Sequence, residues 1–127
     1  MNQMRFVIPG RFVPYVRMTR RGKYVDDRAQ RYLNSQQVLA WWFNSQMTEH
    51  GWGMIARTPI AVDITIQMTG GLHRQDLDNQ VKAVFDAANG IAWSDDRWVD
   101  SLTARRILGD VDQVVVVASN PDETNMR

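Results

Sequence analysis

Ile60–Thr69 alternates without a break: Ile60, Val62, Ile64, Ile66 and Met68 fall on one side, and Ala61, Asp63, Thr65, Gln67 and Thr69 on the other. Period two sustained over this length predicts a β-strand with one buried and one wet face. A single strand has no stability of its own, so the chain must supply further strands and a layer that covers the apolar side. Gly70-Gly71 ends the run.

The remaining sequence offers that layer. Met4–Ile8 is a short apolar run closed by Pro9-Gly10 and reads as a strand. Phe12–Thr19 contains Pro14 and reads as an edge strand or extended loop. Arg20-Arg21-Gly22 reads as a turn and Lys23-Tyr24-Val25 as a short return, so that Arg11 to Lys23 forms a basic hairpin. Leu33, Gln36, Ala40, Phe43 and Met47, with Leu39 alongside, recur at helical spacing. They predict a helix over about 27–48, capped by Asp26 or Asp27 and ended by the glycines of His50-Gly51-Trp52-Gly53. A second helix is predicted over Asp76–Asn89, with Leu77, Val81, Val84, Phe85 and Ala88 as its apolar stripe. Leu102–Leu108 and Gln113–Ser119 read as strands joined by a hairpin turn at Gly109–Asp112, and the Val114–Val117 run predicts burial on both faces. Strands and helices mix without regular alternation. The expected architecture is an α+β fold in one small domain over 1–127: a mixed sheet packed with two main helices, and a polar tail over about 120–127.

The formal net charge of +1 conceals a split. Residues 1–31 carry eight Lys/Arg against Asp26 and Asp27, a balance of +6; residues 32–127 carry seven bases against twelve acids, a balance of −5. Such a division suits one segment to anions and the remainder to a cation, or is simply a solvated charged surface. The absence of cysteine excludes a disulfide framework and a thiolate zinc site. No apolar run approaches the roughly 20 residues of a membrane span and no secretory signal opens the chain, so a cytoplasmic protein is expected.

Two acidic clusters carry the chemistry. The first is His73-Arg74-Gln75-Asp76-Leu77-Asp78-Asn79-Gln80-Val81-Lys82, which begins in a loop and opens the second helix. Asp78 and Lys82 are i and i+4, neighbours on one helical face that Asp86 continues. The second cluster is Ser94-Asp95-Asp96-Arg97-Trp98-Val99-Asp100, expected in a loop. The two meet only if the helix is short or that loop lies alongside it. Converging aspartates repel one another unless a cation joins them, and Mg²⁺ prefers one or two carboxylates with water and phosphate oxygens. With a lysine beside them they form a metal-dependent phosphodiesterase set. The same residues also fit a plainer role as a helix cap, a surface ion pair and turn residues. His50 and His73 lack ligand spacing and are read as non-ligands.

Arg74-Gln75-Asp76-Leu77-Asp78-Asn79, then Lys82, Phe85-Asp86-Ala87, Trp93-Ser94-Asp95-Asp96 and Val99-Asp100 resemble, in order, the motifs of the RusA family of Holliday junction resolvases. Val13-Pro14 through Arg17, Thr19-Arg20-Arg21-Gly22 and Tyr24 also resemble the family's basic segment, so the likeness spans about residues 5–118. It implies a structure-selective endonuclease, bacterial or phage-encoded, that acts as a homodimer on four-way DNA junctions with Mg²⁺, or Mn²⁺ in its place. By motif position, Asp76, Asp78 and Asp96 match the metal-binding catalytic aspartates and Lys82 the catalytic lysine, with Asp95 a secondary candidate. The family usually carries a base immediately before its first aspartate; here that position is Gln75, with Arg74 one residue earlier as a substitute. For the phosphate backbone the basic segment offers Arg17, Arg20, Arg21, Lys23 and Arg28, and Tyr15 and Tyr24 interleave with them as stacking or packing groups. Trp41 and Trp42, adjacent on a helix, are expected in core and dimer packing. The rival readings are a non-catalytic DNA-binding or architectural protein, and a flap-type metal-dependent nuclease.

Overall fold

The structure is a computed structural model that describes residues 3–17 and 27–121. It is an α+β fold in which four strands form one mixed sheet and two helices pack on one of its faces. The elements are β1 (Gln3–Pro9), α1 (Asp27–His50), β2 (Ile60–Met68), α2 (Leu77–Ala88), a 3₁₀ turn (Asp96–Trp98), β3 (Val99–Leu108) and β4 (Gln113–Ser119). The expected turn and return at Arg20 to Val25, the Asp26 cap and most of the polar tail lie outside the described residues.

β2 behaves as its alternation predicts. Ile60, Val62, Ile64, Ile66 and Met68 are all buried, and the intervening residues are half-buried on the other face. Met4, Phe6 and Ile8 of β1 and Val114, Val116 and Ala118 of β4 extend the same apolar layer. α1 covers it with Leu39, Phe43 and Met47, and α2 with Val81, Val84, Ala87 and Ala88. Phe6 and Phe43 meet edge to face at 4.9 Å between ring centroids, the geometry that aromatic quadrupoles favour. Val115 and Val117 are only half-buried, against the expectation for the valine run, because both helices lie on the other side of the sheet. On α1, Trp42 packs partly against the core while Trp41 is exposed.

The strand order is β1-β4-β2-β3. The predicted hairpin between the last two strands is therefore wrong in its pairing: β4 runs antiparallel to β2 and to β1, and β3 runs parallel to β2. β2 sits between the strands that adjoin in sequence. A parallel pair needs a crossover, and α2 provides it between β2 and β3. The 109–112 connection then passes over the end of β2 and is fastened to it. Gly109 N donates to Met68 O, Gln67 Nε2 to Val111 O, and Thr69 N to the Asp112 carboxylate. A Cβ at Gly109 would overlap the Gln67 side chain as it is placed, so a larger residue there would displace the Gln67 amide from Val111 O. At the other edge, the Gln46 amide accepts from Val7 N and donates to Val7 O, closing part of the open side of β1. Among the described residues no helix is long and apolar enough to cross a membrane.

Candidate active site

α2 begins where the loop after β2 turns back onto the sheet. Asp76 occupies the N-cap position with extended backbone, yet its side chain caps nothing. Its carboxylate has no hydrogen bond or ion pair among the described residues. Asp78, in the first helical turn, accepts from the adjacent Asn79 N at 2.9 Å. The capping role is therefore not what Asp76 performs. Both carboxylates are exposed and line one open cavity of about 870 Å³, whose apolar wall is Leu77 and Val81 of α2 with Leu102 and Ala104 of β3. Arg106 of β3 enters the same cavity. A hard divalent cation takes carboxylate, water and phosphate oxygens, and two carboxylates with free oxygens at a helix N-terminus fit that donor set.

Lys82 lies one turn further along α2. Its ammonium reaches Asp86 at 3.5 Å and stands 4.7 Å from the centre of the Tyr15 ring. Asp86 also accepts from Tyr32 Oη at 2.7 Å, and Tyr15 packs edge to face on Tyr32. Burial pushes the Tyr32 phenol far above its ordinary range, and the hydrogen bond to Asp86 pushes further in the same direction, so the phenol keeps its proton. Lys82 is thus aimed by a carboxylate that a buried phenol holds in place. Tyr15 N donates to Asn79 O, which fastens the loop after β1 to the first turns of α2. Tyr15 here packs within the protein; Tyr24 lies outside the described residues.

Asp96 is elsewhere. Its Oδ2 accepts from Asn89 Nδ2 at 3.2 Å, and Asn89 is the C-cap of α2. Asp78 and Asn89 are eleven residues apart, so about 16 Å of helix separates the two acidic motifs. Among the described residues no three His, Asp or Glu side chains are gathered closely enough to hold one ion. Asp76 and Asp78 come together within the chain; Asp96 does not join them. Asp95 caps the 3₁₀ turn by accepting from Arg97 N at 3.0 Å, and chiefly this bond holds its carboxyl below the usual range.

The basic segment borders the aspartates. Arg11, Arg28 and Arg31 line one depression together with Gln75, the residue before Asp76. Arg17 and Arg74 are exposed. Arg20, Arg21 and Lys23 lie outside the described residues. Sequence reasoning passed over Arg31, Asn89 and Arg106. Arg31 was visible in the count of bases; Asn89 and Arg106 gain meaning only from what the fold puts beside them.

A family model for the endodeoxyribonuclease RusA matches residues 10–118. No curated protein matches the chain. The match runs from the turn after β1 through almost all of β4 and takes in both aspartate motifs and Lys82. The chain belongs to the RusA family of endodeoxyribonucleases, which implies a Holliday junction resolving endonuclease.

Proposed function

We propose that this protein is a Mg²⁺-dependent endonuclease that resolves four-way DNA junctions by paired cuts, as a homodimer whose two sites each draw on both chains. The observation that carries the reading is the pair of uncompensated carboxylates, Asp76 and Asp78, in an open cavity beside a basic surface. These two would hold the ion, with Mn²⁺ as a substitute. When bound, it polarises a phosphoryl oxygen and favours hydroxide over water at the reacting phosphate. Lys82, oriented by Asp86, offsets negative charge that develops on the phosphate oxygens. Arg11, Arg17, Arg28 and Arg31, with Arg20, Arg21, Lys23 and Arg74, track the backbone, which gives salt-sensitive affinity independent of sequence.

Asp96 enters this reading through the partner. A two-fold axis that sets two α2 helices antiparallel brings the N-terminal end of one against the C-terminal end of the other. Asp76 and Asp78 of one chain then face the partner's Asp96, and the converse holds at the second site. The cavity's apolar wall, with Leu102 exposed, supplies a surface for that contact. Two sites related by a two-fold axis match the near two-fold symmetry of a four-way junction.

The decisive experiment offers labelled four-way junction, flap and plain duplex, each with and without Mg²⁺. Symmetric cleavage of the junction, dependent on metal, is expected. Preferred cutting of the flap points instead to a flap-type nuclease. Binding without product under every metal condition leaves only a DNA-binding or architectural role.

A further inference from the structure

Arg105 and Arg106 are neighbours on β3 and have opposite fates. Arg105 points to the uncovered face of the sheet, where it pairs with Asp63 at 3.1 Å and donates to Thr65 Oγ1. Arg106 points to the helix side, in register with buried Ile66. There its Nη1 donates to the Gln75 carbonyl and to Gln80 Oε1. Both acceptors are neutral, and among the described residues no carboxylate comes within ion-pair distance. Arg11, Arg97 and Arg105, by contrast, each meet an aspartate. Nη2 and Nε of Arg106 make no hydrogen bond among the described residues. A half-buried guanidinium thus keeps its full charge and its remaining donors.

Gln80 explains how the group is held. It is 2% exposed, a polar side chain on the face of α2 that otherwise carries Val81, Val84 and Ala87 into the core. Burying an amide there is unfavourable unless it is bonded. Its Oε1 takes the Arg106 bond, while Nε2 reaches Gln75 Oε1 at 3.5 Å and lies 4.0 Å from Met68 Sδ. The result is a guanidinium fixed from behind, with a permanent positive charge in a cavity whose other ionised walls are Asp76 and Asp78.

We propose that Arg106 is the phosphate anchor of this site: Nη2 and Nε bind a non-bridging oxygen of the DNA phosphodiester that enters beside Asp76 and Asp78, and Gln80 is the positioning residue that presents them. This deepens the nuclease reading and rests on it. A phosphodiester approaching two carboxylates meets like charge, and Arg106 is the cation built into the cavity wall. The planar fork of arginine suits phosphate oxygens better than the point charge of lysine. The Gln75 carbonyl, adjoining Asp76, is one of the fixings of this guanidinium.

The test measures binding and cleavage separately. Two four-way junctions are compared, one natural and one carrying a neutral methylphosphonate at the scissile position, with binding read without metal and cleavage with Mg²⁺. Removing that charge is expected to weaken binding by wild type about tenfold, the size of a charge-assisted hydrogen bond. R106Q should bind both junctions alike, about as weakly as wild type binds the methylphosphonate, and cleave the natural one about a hundredfold more slowly at saturating junction. R106K should recover part of the rate. Q80M should cleave about tenfold more slowly while its Tm stays level or rises, because an apolar side chain suits that position. Equal binding of the two junctions by wild type, or the wild-type penalty persisting in R106Q, overturns the proposal. Cleavage by R106Q within twofold of wild type overturns it too. If wild type binds but cuts no junction, the nuclease reading falls, and methylphosphonate placed in turn at each phosphate near the crossover then decides the role of Arg106: a wild-type penalty lost in R106Q keeps it, and no such position overturns it.

Discussion

The two ends of α2 present their aspartates in opposite ways. At the C-terminal end, Asp96 is the last member of a chain rooted in the core. Trp93, with no exposed surface, donates its indole N–H to Asn89 Oδ1 at 2.8 Å, and Asn89 Nδ2 donates to Asp96. An indole N–H only donates, so it fixes which way the Asn89 amide points and therefore what the amide offers Asp96. At the N-terminal end, among the described residues, Asp76 has no partner and Asp78 only its neighbour's N–H. Nothing buried constrains either carboxylate. One end is organised before any guest arrives; the other leaves its oxygens free at a helix N-terminus, where negative charge is tolerated best. The difference suggests two half-sites with separate tasks, one rigid and one receptive, that need a second chain to meet.

The sharpest way to break that comparison is to disable one end in each of two chains. Asp78→Asn alone and Asp96→Asn alone should each lower junction cleavage roughly a thousandfold or more, the several kcal/mol a catalytic ion contributes, while junction binding persists. Mixed and allowed to exchange, the two variants should recover nicking to roughly a quarter of wild type, because half the dimers carry one site with neither substitution. Sites built within single chains predict no recovery, since every site would then contain a substitution. Single-turnover nicking of an end-labelled junction reads the difference.

A smaller effect probes rigidity. Trp93→Phe keeps most of the buried ring and removes the N–H that orients Asn89. Cleavage should fall about tenfold, the usual cost of losing an outer-shell bond, and stability by about 1 kcal/mol. At the open end, Asp76→Asn should leave Tm nearly unchanged although cleavage collapses, since no side-chain bond is lost and the favourable helix N-terminus is offset by repulsion from Asp78. Thermal denaturation of the two variants beside single-turnover rates separates the cases. A Tm loss in Asp76→Asn equal to that in Trp93→Phe would erase the distinction between the two ends.

Much of this is legible in the sequence. The alternation of β2 needs only local sterics and one buried face, and the helices announce themselves through Leu39, Phe43 and Met47 and through Val81 and Val84. The ordered aspartate motifs pointed to the family that the match over 10–118 supports. What was illegible depends on partners distant in sequence. Nothing within 102–119 says that β2 will insert between β3 and β4, because the preference of adjacent strands for pairing is only a tendency. Gln80 reads as a polar interruption until Arg106 lies against it, and Arg106 reads as one of two equivalent arginines until β3 sends them to opposite faces. The separation of Asp96 from Asp78 follows from their places at opposite ends of α2, and spacing alone leaves open whether the loop returns alongside the helix.

The least effect expected comes from acid. Asp112 and Asp95 brace opposite ends of the sheet, and both carboxyls are held below their ordinary range, mainly by backbone N–H donors, from Thr69 and Arg97 respectively. Asp112 gains further from Arg11, whose Nε lies 3.1 Å away and whose Nη2 also donates to Gly70 O at 2.7 Å. Asp95 has a looser partner in the Arg97 side chain, at 3.9 Å. A carboxyl whose pKa is lower folded than unfolded stabilises the fold above the unfolded value, about 3.9, and that contribution fades as pH falls through the folded value. Asp112→Ala should therefore lower Tm at neutral pH more than Asp95→Ala does, and both differences from wild type should close below about pH 4. Salt should shrink the Asp112 difference only in part, because it screens the exposed Arg11 charge and leaves the short Thr69 bond largely intact. A Tm gap for Asp112→Ala that stays undiminished at pH 3 would mean that the ionised carboxylate is not what fastens the 109–112 crossing to β2, and that the receptive end of α2 rests on packing alone.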